Sequence, residues 1–193
     1  MEPLKIVIAD DSAVIRMDLK EILSEAGHRV VGETANGRRA VAITRDCRPD
    51  LVIMDIKMPD MDGIEAARLI AAENIAPVLL LTAFDDAALV ERAKDAGVLA
   101  YLVKPIEERN LFPAIEIALS RWQEMQALEK ELASMRDSFE TRKLLDRAKG
   151  ILMDAHGIGE DEAYRRLQRY SMAKRRSLKD VAAAVVAAAK KKH

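Results

Sequence analysis

The chain of 193 residues has a single cysteine, Cys47. No intrachain disulfide can form, and a lone thiol with no activating neighbours fits a reducing compartment. Cys47 is expected simply to pack. Long apolar runs are missing too. The longest are strand-length, such as Val78–Leu81, so no segment is expected to span a membrane. The opening residues, MEPLKIVIADD, lack the shape of a secretory signal. A cytoplasmic location follows as the expectation. Wholesale disorder is excluded, because apolar residues make up 50% and charged residues 33% of the chain.

Net charge is also nearly absent, at −1, but the total hides an asymmetry. Residues 1–117 carry 14 basic and 21 acidic side chains, whereas residues 118–193 carry 17 basic and 11 acidic. An acidic half joined to a basic half implies two tasks, and the basic half suits a polyanion.

The acidic half alternates short apolar runs with helical patterns. Strands are expected at Lys5–Ala9, Arg29–Thr34, Leu51–Met54, Val78–Thr82 and Tyr101–Val103. Helices are expected at Ala13–Ala26, Gly37–Asp46, Ile64–Glu73 and Asp86–Ala96. Unalternating apolar strands separated by helices predict a doubly wound, five-stranded parallel sheet of the flavodoxin-like kind. In such sheets chemistry sits at the carboxyl ends of the strands. Those ends carry Asp10 and Asp11 after the first strand, Asp55 at the third, Thr82 at the fourth and Lys104 after the fifth. Any one Asp could merely cap a helix, as Asp11 or Ser12 could. Three converging carboxylates repel one another unless a cation neutralises them, and hard oxygen ligands suit Mg²⁺. A neighbouring lysine and threonine can hold phosphoryl oxygens, so the set points to phosphoryl transfer.

From Glu107 to Met153 only Pro113 interrupts a helical pattern, and it is expected in the tolerant first turn. Ile115, Leu119, Trp122, Met125, Leu128, Leu132, Met135 and Phe139 recur at near-heptad spacing among charged residues. A dimeric coiled coil is favoured over a helix packed on its own domain. Two more helices follow, one opening at Glu160-Asp161-Glu162 and one at Ser177-Leu-Lys-Asp180, a capping-box pattern. An all-α three-helix domain therefore ends the chain.

Ile8-Ala-Asp-Asp11, Met54-Asp-Ile-Lys-Met-Pro-Asp-Met-Asp-Gly63, Leu81-Thr-Ala83 and Gly97-Val-Leu-Ala-Tyr-Leu-Val-Lys-Pro105 resemble the receiver domain of two-component response regulators. The resemblance implies that Asp55 accepts a phosphoryl group from a sensor histidine kinase. It implies that Asp10, Asp11, Asp55 and the backbone carbonyl of Lys57 hold Mg²⁺. Lys104 would pair with the phosphoryl group and Thr82 would hydrogen-bond it. Tyr101 would be the aromatic switch, and Lys104–Pro105 would be cis.

From Thr141 onward there are 14 basic and 6 acidic residues. Charge clustering favours nucleic acid over a merely solvated face, without choosing RNA or DNA. Ala148-Lys-Gly-Ile-Leu-Met153, Glu162-Ala-Tyr-Arg-Arg-Leu167, Tyr170-Ser-Met172, Arg176 and Val181-Ala182 resemble the ANTAR domain, a three-helix RNA-binding output module. Gly159 replaces the Ser or Thr usual before its second helix, losing a little capping energy. The expected core is Ala148, Ile151, Leu152, Ala163, Leu167, Met172, Leu178, Val181, Ala182 and Val185, with Tyr164 also placed inside. RNA contacts are expected from Lys149, Gly150, Arg166, Arg169, Tyr170, Ser171, Lys174, Arg175 and Arg176. Gly150, in mid-helix, suggests a close backbone approach by a ligand or a helix. His156 is expected near a helix end.

The expected organisation is a receiver at 1–117, a coiled-coil linker helix at 118–138 and an ANTAR domain at 139–193. The expected protein is a regulator, not an enzyme. Phosphorylated at Asp55, it would dimerise and bind RNA hairpins of a transcript leader to cause antitermination. The rival readings are a phosphorylation-controlled DNA-binding transcription factor and a protein-interaction adaptor.

Overall fold

The computed structural model describes residues 2–83, 92 and 96–190. The chain divides into two compact units, Met1–Gln126 and Ala127–His193. In the first, β1 (Lys5–Ala9), β2 (Arg29–Thr34), β3 (Leu51–Asp55), β4 (Val78–Thr82) and β5 (Ala100–Val103) form one parallel sheet in the order β2-β1-β3-β4-β5. The helices α1 (Ala13–Glu25), α2 (Gly37–Cys47) and α3 (Gly63–Ala72) follow the first three strands. The helix expected at Asp86–Ala96 lies almost wholly outside the described residues. A long helix, α4 (Glu108–His156), begins in this unit and ends in the second, where α5 (Glu160–Lys174) and α6 (Leu178–Lys190) join it.

The central strands β1, β3 and β4 are buried along nearly their whole length, the edge strands β2 and β5 much less, and alternate residues feed two cores. Val7, Val52, Met54, Val78 and Leu80 pack with Ala40, Val41, Ile64, Ala67 and Ile70 of α2 and α3. Ile6, Ile8, Leu51, Ile53, Leu79 and Leu81 pack with Leu19 and Leu23 of α1 and Leu111, Ile115 and Ala118 of α4. Burial on both faces is why these strands read as continuous apolar runs.

Polar punctuation sets the helix starts. Ser12, Asn36 and Asp62 accept hydrogen bonds from the backbone N–H groups of Ile15, Arg39 and Glu65, capping α1, α2 and α3. Pro113 lies in the second turn of α4, because the helix starts at Glu108. That corrects the first-turn expectation. The missing N–H leaves the Arg109 carbonyl without its helical donor, on an exposed stretch where water can serve it. Lys104–Pro105 is cis, as the resemblance implied.

Gly63 opens α3 against the end of β3, and its N–H donates to the Ile56 carbonyl at 2.8 Å. A Cβ there would run into the backbone carbonyl of Asp55. Gly63→Ala therefore forces backbone apart at the strand end, and denaturant unfolding should show a loss of about 1–3 kcal/mol. His28 gives a second test. It is buried, its Nδ1 accepts the Leu4 N–H at 3.3 Å, and its ring lies 6.2 Å from that of Phe112. Burial lowers its pKa below the ordinary 6.5. Its contribution is thus present above about pH 6.5 and is lost as pH falls through the lowered folded value. Unfolding midpoints measured across that range should drop less in His28→Asn than in the native chain.

Candidate functional site

The order β2-β1-β3 places the carboxyl ends of β1 and β3 side by side at the point where the sheet reverses direction, the usual ligand crevice of such sheets. Ala9 pairs with Met54 in register, so Asp10 and Asp55 are neighbours. Thr82 pairs with Val103, which brings Lys104 to the same edge. Asp10 and Asp55 are buried, whereas Asp11 is exposed. Carboxylate oxygens of the three lie within 4.8 Å of one another.

Lys104 bridges the buried pair. Its Nζ lies 2.8 Å from Asp10 Oδ2 and 2.6 Å from Asp55 Oδ1. The other oxygen of Asp55 accepts the Lys57 N–H at 2.9 Å. Asp10 Oδ1 accepts the Ser12 N–H at 2.9 Å, and Arg16 reaches back to the Asp10 carbonyl at 2.6 Å. Burial pushes the Asp55 pKa up. Lys104 and the Lys57 N–H pull it back, and the Asp10 charge adds to the rise. Lys104 is itself half-buried, and that desolvation opposes its charge, but its bonds to Asp10 and Asp55 outweigh it and raise its pKa. The donor set is hard and anionic and reachable from solvent through Asp11, which fits a small divalent cation.

Thr82 is buried at the same edge, and its hydroxyl donates to the Ala83 carbonyl at 3.1 Å. Tyr101 is 49% exposed, so its ring stands outside the core.

The second unit has a small core. Ala148, Leu167, Val181 and Ala182 are buried, with Leu144, Leu145, Leu152, Leu178, Val185 and Val186 packed against them. Ala163 is buried as expected, and Ile151 is half-buried. Met172 is 71% exposed and leaves the expected core, as does Tyr164 at 40%. The helix period explains Met172, which lies nine residues beyond Ala163 and so on the opposite face of α5. Ser171 turns inward instead, and its hydroxyl donates to the Arg176 carbonyl at 2.6 Å, closing the turn after α5. Among the described residues outside its own helix backbone, nothing lies within 4 Å of where a Cβ on Gly150 would stand. Of the two approaches expected there, by a ligand or by a helix, no helix is found among the described residues. His156 is the last residue of α4, ahead of Gly157 at φ +62°.

The expected RNA-contacting cations lie on α4, α5 and the turn beyond. Lys149 pairs with Asp146 at 2.8 Å and Glu160 at 2.6 Å. One oxygen of Glu162 accepts from both Arg166, at 3.2 Å, and Arg169, at 3.0 Å. Lys174, Arg175 and Arg176 are exposed, and Tyr170 is 54% exposed.

The family model of the response regulator receiver domain matches residues 6–116, and that of the ANTAR domain matches residues 133–186. The chain belongs to the response regulators. It is 51% identical over 184 residues to the transcriptional regulatory protein PdtaR of Mycobacterium tuberculosis, a match covering 95% of this chain and 90% of that protein. Its receiver half is 38% identical over 112 residues to the chemotaxis protein CheY of Thermotoga maritima, over 58% of this chain and 93% of that one. Among solved structures, the receiver domain of the putative response regulator NarL from Mycobacterium tuberculosis aligns with a TM-score of 0.59 at 29% identity, covering 62% of this chain and 98% of that one.

This response regulator is thus a regulatory protein, with a receiver domain ahead of an ANTAR domain. No helix among the described residues is long and apolar enough to cross a membrane. Sequence reasoning missed the site's supports, Arg16 and the Lys57 N–H, which act through backbone atoms and carry no motif. It also missed Glu160 and Glu162 as partners of the ANTAR cations. The four-residue step from Glu162 to Arg166 would have flagged one of those pairs.

Lys104 is the counter-ion of two buried carboxylates. Lys104→Ala should destabilise the receiver by about 2 kcal/mol, less than the ~3–5 kcal/mol for breaking a fully buried pair. Added Mg²⁺ should restore more of the melting temperature in this variant than it adds to the native chain, because bound cation replaces the lost charge. Thermal unfolding with and without Mg²⁺ checks both.

Proposed function

We propose that the receiver takes a phosphoryl group on Asp55 and that this controls RNA binding by the ANTAR domain. The observation that carries the reading is Lys104 seated between Asp10 and Asp55, beside Asp11 and Thr82, at the carboxyl edge of the sheet. An oxygen of Asp55 attacks the phosphorus of a phosphohistidine on a sensor histidine kinase. The P–N bond breaks as the acyl phosphate forms, and the imidazole leaves. Asp10, Asp11, Asp55 and the Lys57 backbone carbonyl would hold Mg²⁺, which would supply neutralisation of charge on the transferring group. Lys104 turns from the carboxylates to a phosphoryl oxygen. Thr82 releases the Ala83 carbonyl to donate to another, and Tyr101 moves into the space Thr82 vacates.

The proposed organisation is a receiver at 1–117, a linker helix at 118–138 and an ANTAR domain at 139–193. Leu128, Leu132, Met135 and Phe139 form an apolar stripe on α4, each at least 49% exposed. A second copy covers it when the receiver is phosphorylated, as a coiled coil. Two ANTAR domains then engage two RNA hairpins of a transcript leader. Bivalency raises affinity without new contacts, and the occupied RNA favours antitermination. Lys149, Arg166, Arg169, Tyr170, Lys174, Arg175 and Arg176 contact the RNA. Ser171 acts through the turn it closes, and Gly150 leaves open surface on α4 for the RNA backbone. The protein works in the cytoplasm.

Two measurements test this. Incubation with a small acyl phosphate and Mg²⁺ should add one phosphoryl group by mass spectrometry, and none to Asp55→Asn or after chelation. In gel shifts, beryllofluoride with Mg²⁺ should tighten binding of the native chain to a two-hairpin RNA pool over duplex DNA of equal length. Asp55→Asn should show no such gain. Selective binding to the duplex DNA would overturn the RNA reading.

A further inference from the structure

The ANTAR domain carries a groove of about 330 Å³ between α5 and α6, with Leu152 of α4 in its lining. Leu152, Leu167, Val181 and Val185 make it apolar, while Arg166 and Tyr170 border it one helical turn apart on α5. On the opposite side α6 contributes the buried Val181 and half-buried Val185, and at the exposed edge the methyl groups of Ala184 and Ala188, one turn apart. The groove therefore stays open because α6 offers methyl groups where larger side chains would fill it. Tyr170, 54% exposed beside this open apolar groove, offers a flat aromatic face that a planar ligand can bury.

Charge decides the class of ligand. Arg166 stands at the groove and Arg169 shares the same Glu162 oxygen, so one acid holds both guanidinium groups on this side of α5. The exposed Lys174, Arg175 and Arg176 follow at the end of the same helix. An apolar peptide gains nothing from such a rim. A nucleic-acid strand gains twice, since its phosphates meet the cations and an unstacked base has a flat face to bury. A duplex keeps its bases stacked and cannot use the groove.

We propose that this groove seats one unstacked base of a bound RNA loop, its face against Tyr170 and the Ala184 and Ala188 methyls. Arg166 meets the edge of that base at the rim. The proposal rests on the RNA reading above and deepens it. The basic turn supplies affinity that any sequence shares, and the groove supplies discrimination among loops. Glu162 is a positioning residue that keeps Arg166 at the groove.

The test starts from hairpin RNAs with a randomised loop, selected on the full-length native chain. Ala184→Phe fills the groove and leaves every cation in place, and Ala188→Phe does so one turn further along. Each selected hairpin should bind these variants at least tenfold more weakly. The preference over unselected loops should vanish, with the slope of log affinity against log salt unchanged. Tyr170→Leu, at an exposed position, removes the stacking face and should do the same should either bulky variant unfold in a thermal melt. Abasic substitution through the loop should find one position whose loss weakens the native chain about as much and Ala184→Phe not at all. Native loop preference in folded groove variants would overturn the proposal while leaving RNA binding intact. A shift in sedimentation of those variants with RNA preference unchanged would assign the groove to a second copy instead. A native chain that prefers no hairpin over duplex DNA would remove the RNA reading itself, and the groove proposal with it.

Discussion

Two carboxylates buried side by side at the ends of adjacent strands are costly, and the ammonium group of Lys104 between them is the interaction on which the receiver depends. Ionised groups this close cannot both stay charged in a low-dielectric setting without a compensating cation. Around that constraint the fold is arranged. The parallel sheet supplies rigid strand ends, with two cores gripping it from opposite faces. Gly63 lets α3 begin against the Asp55 carbonyl, and Ser12 and Arg16 fix Asp10 from the side of α1. A group that brings its own cation and takes Lys104 as partner changes the balance of the whole edge. That is the physical basis of the proposed switch: a single lysine cannot serve both the carboxylates and a phosphoryl oxygen.

The ANTAR domain solves a different problem. Its core is small, and its helices hold many cations close together. Repulsion among them is relieved by Asp146, Glu160 and Glu162. Such exposed pairs add little to stability and are screened by salt. They aim the cations, and a polyanion can displace the carboxylates at small cost. Ser171 contributes in the same spirit, spending its hydroxyl on the Arg176 carbonyl to hold the basic turn after α5.

Most of the receiver was legible residue by residue. Each described strand falls within one residue of its expected bounds, because the central strands, buried on both faces, leave unbroken apolar runs and turn signals bound the edge strands. The site was legible too, since Asp10, Asp11, Asp55, Thr82 and Lys104 all follow from asking what stands at strand ends. The ANTAR core was legible less well. Leu144, Leu145 and Val186 belong to it and went unremarked, while Met172 and Tyr164 were placed inside and stand outside. In a helix with so few buried turns, one residue of phase error carries a side chain through about 100°.

The order of residues along the chain by itself determined the βα alternation, the acidic strand ends, the long helix and the basic terminus. These are local patterns, written in periodicity, caps and charge. Only the tertiary structure decided that Lys104 lies between Asp10 and Asp55 rather than beside either one. The same holds for the openness of the α4 surface at Gly150 and of the groove between α5 and α6. The reason is that each of these depends on elements far apart in the chain meeting at a particular distance. Pattern can say which side chains face inward. It cannot say how much room is left once they have.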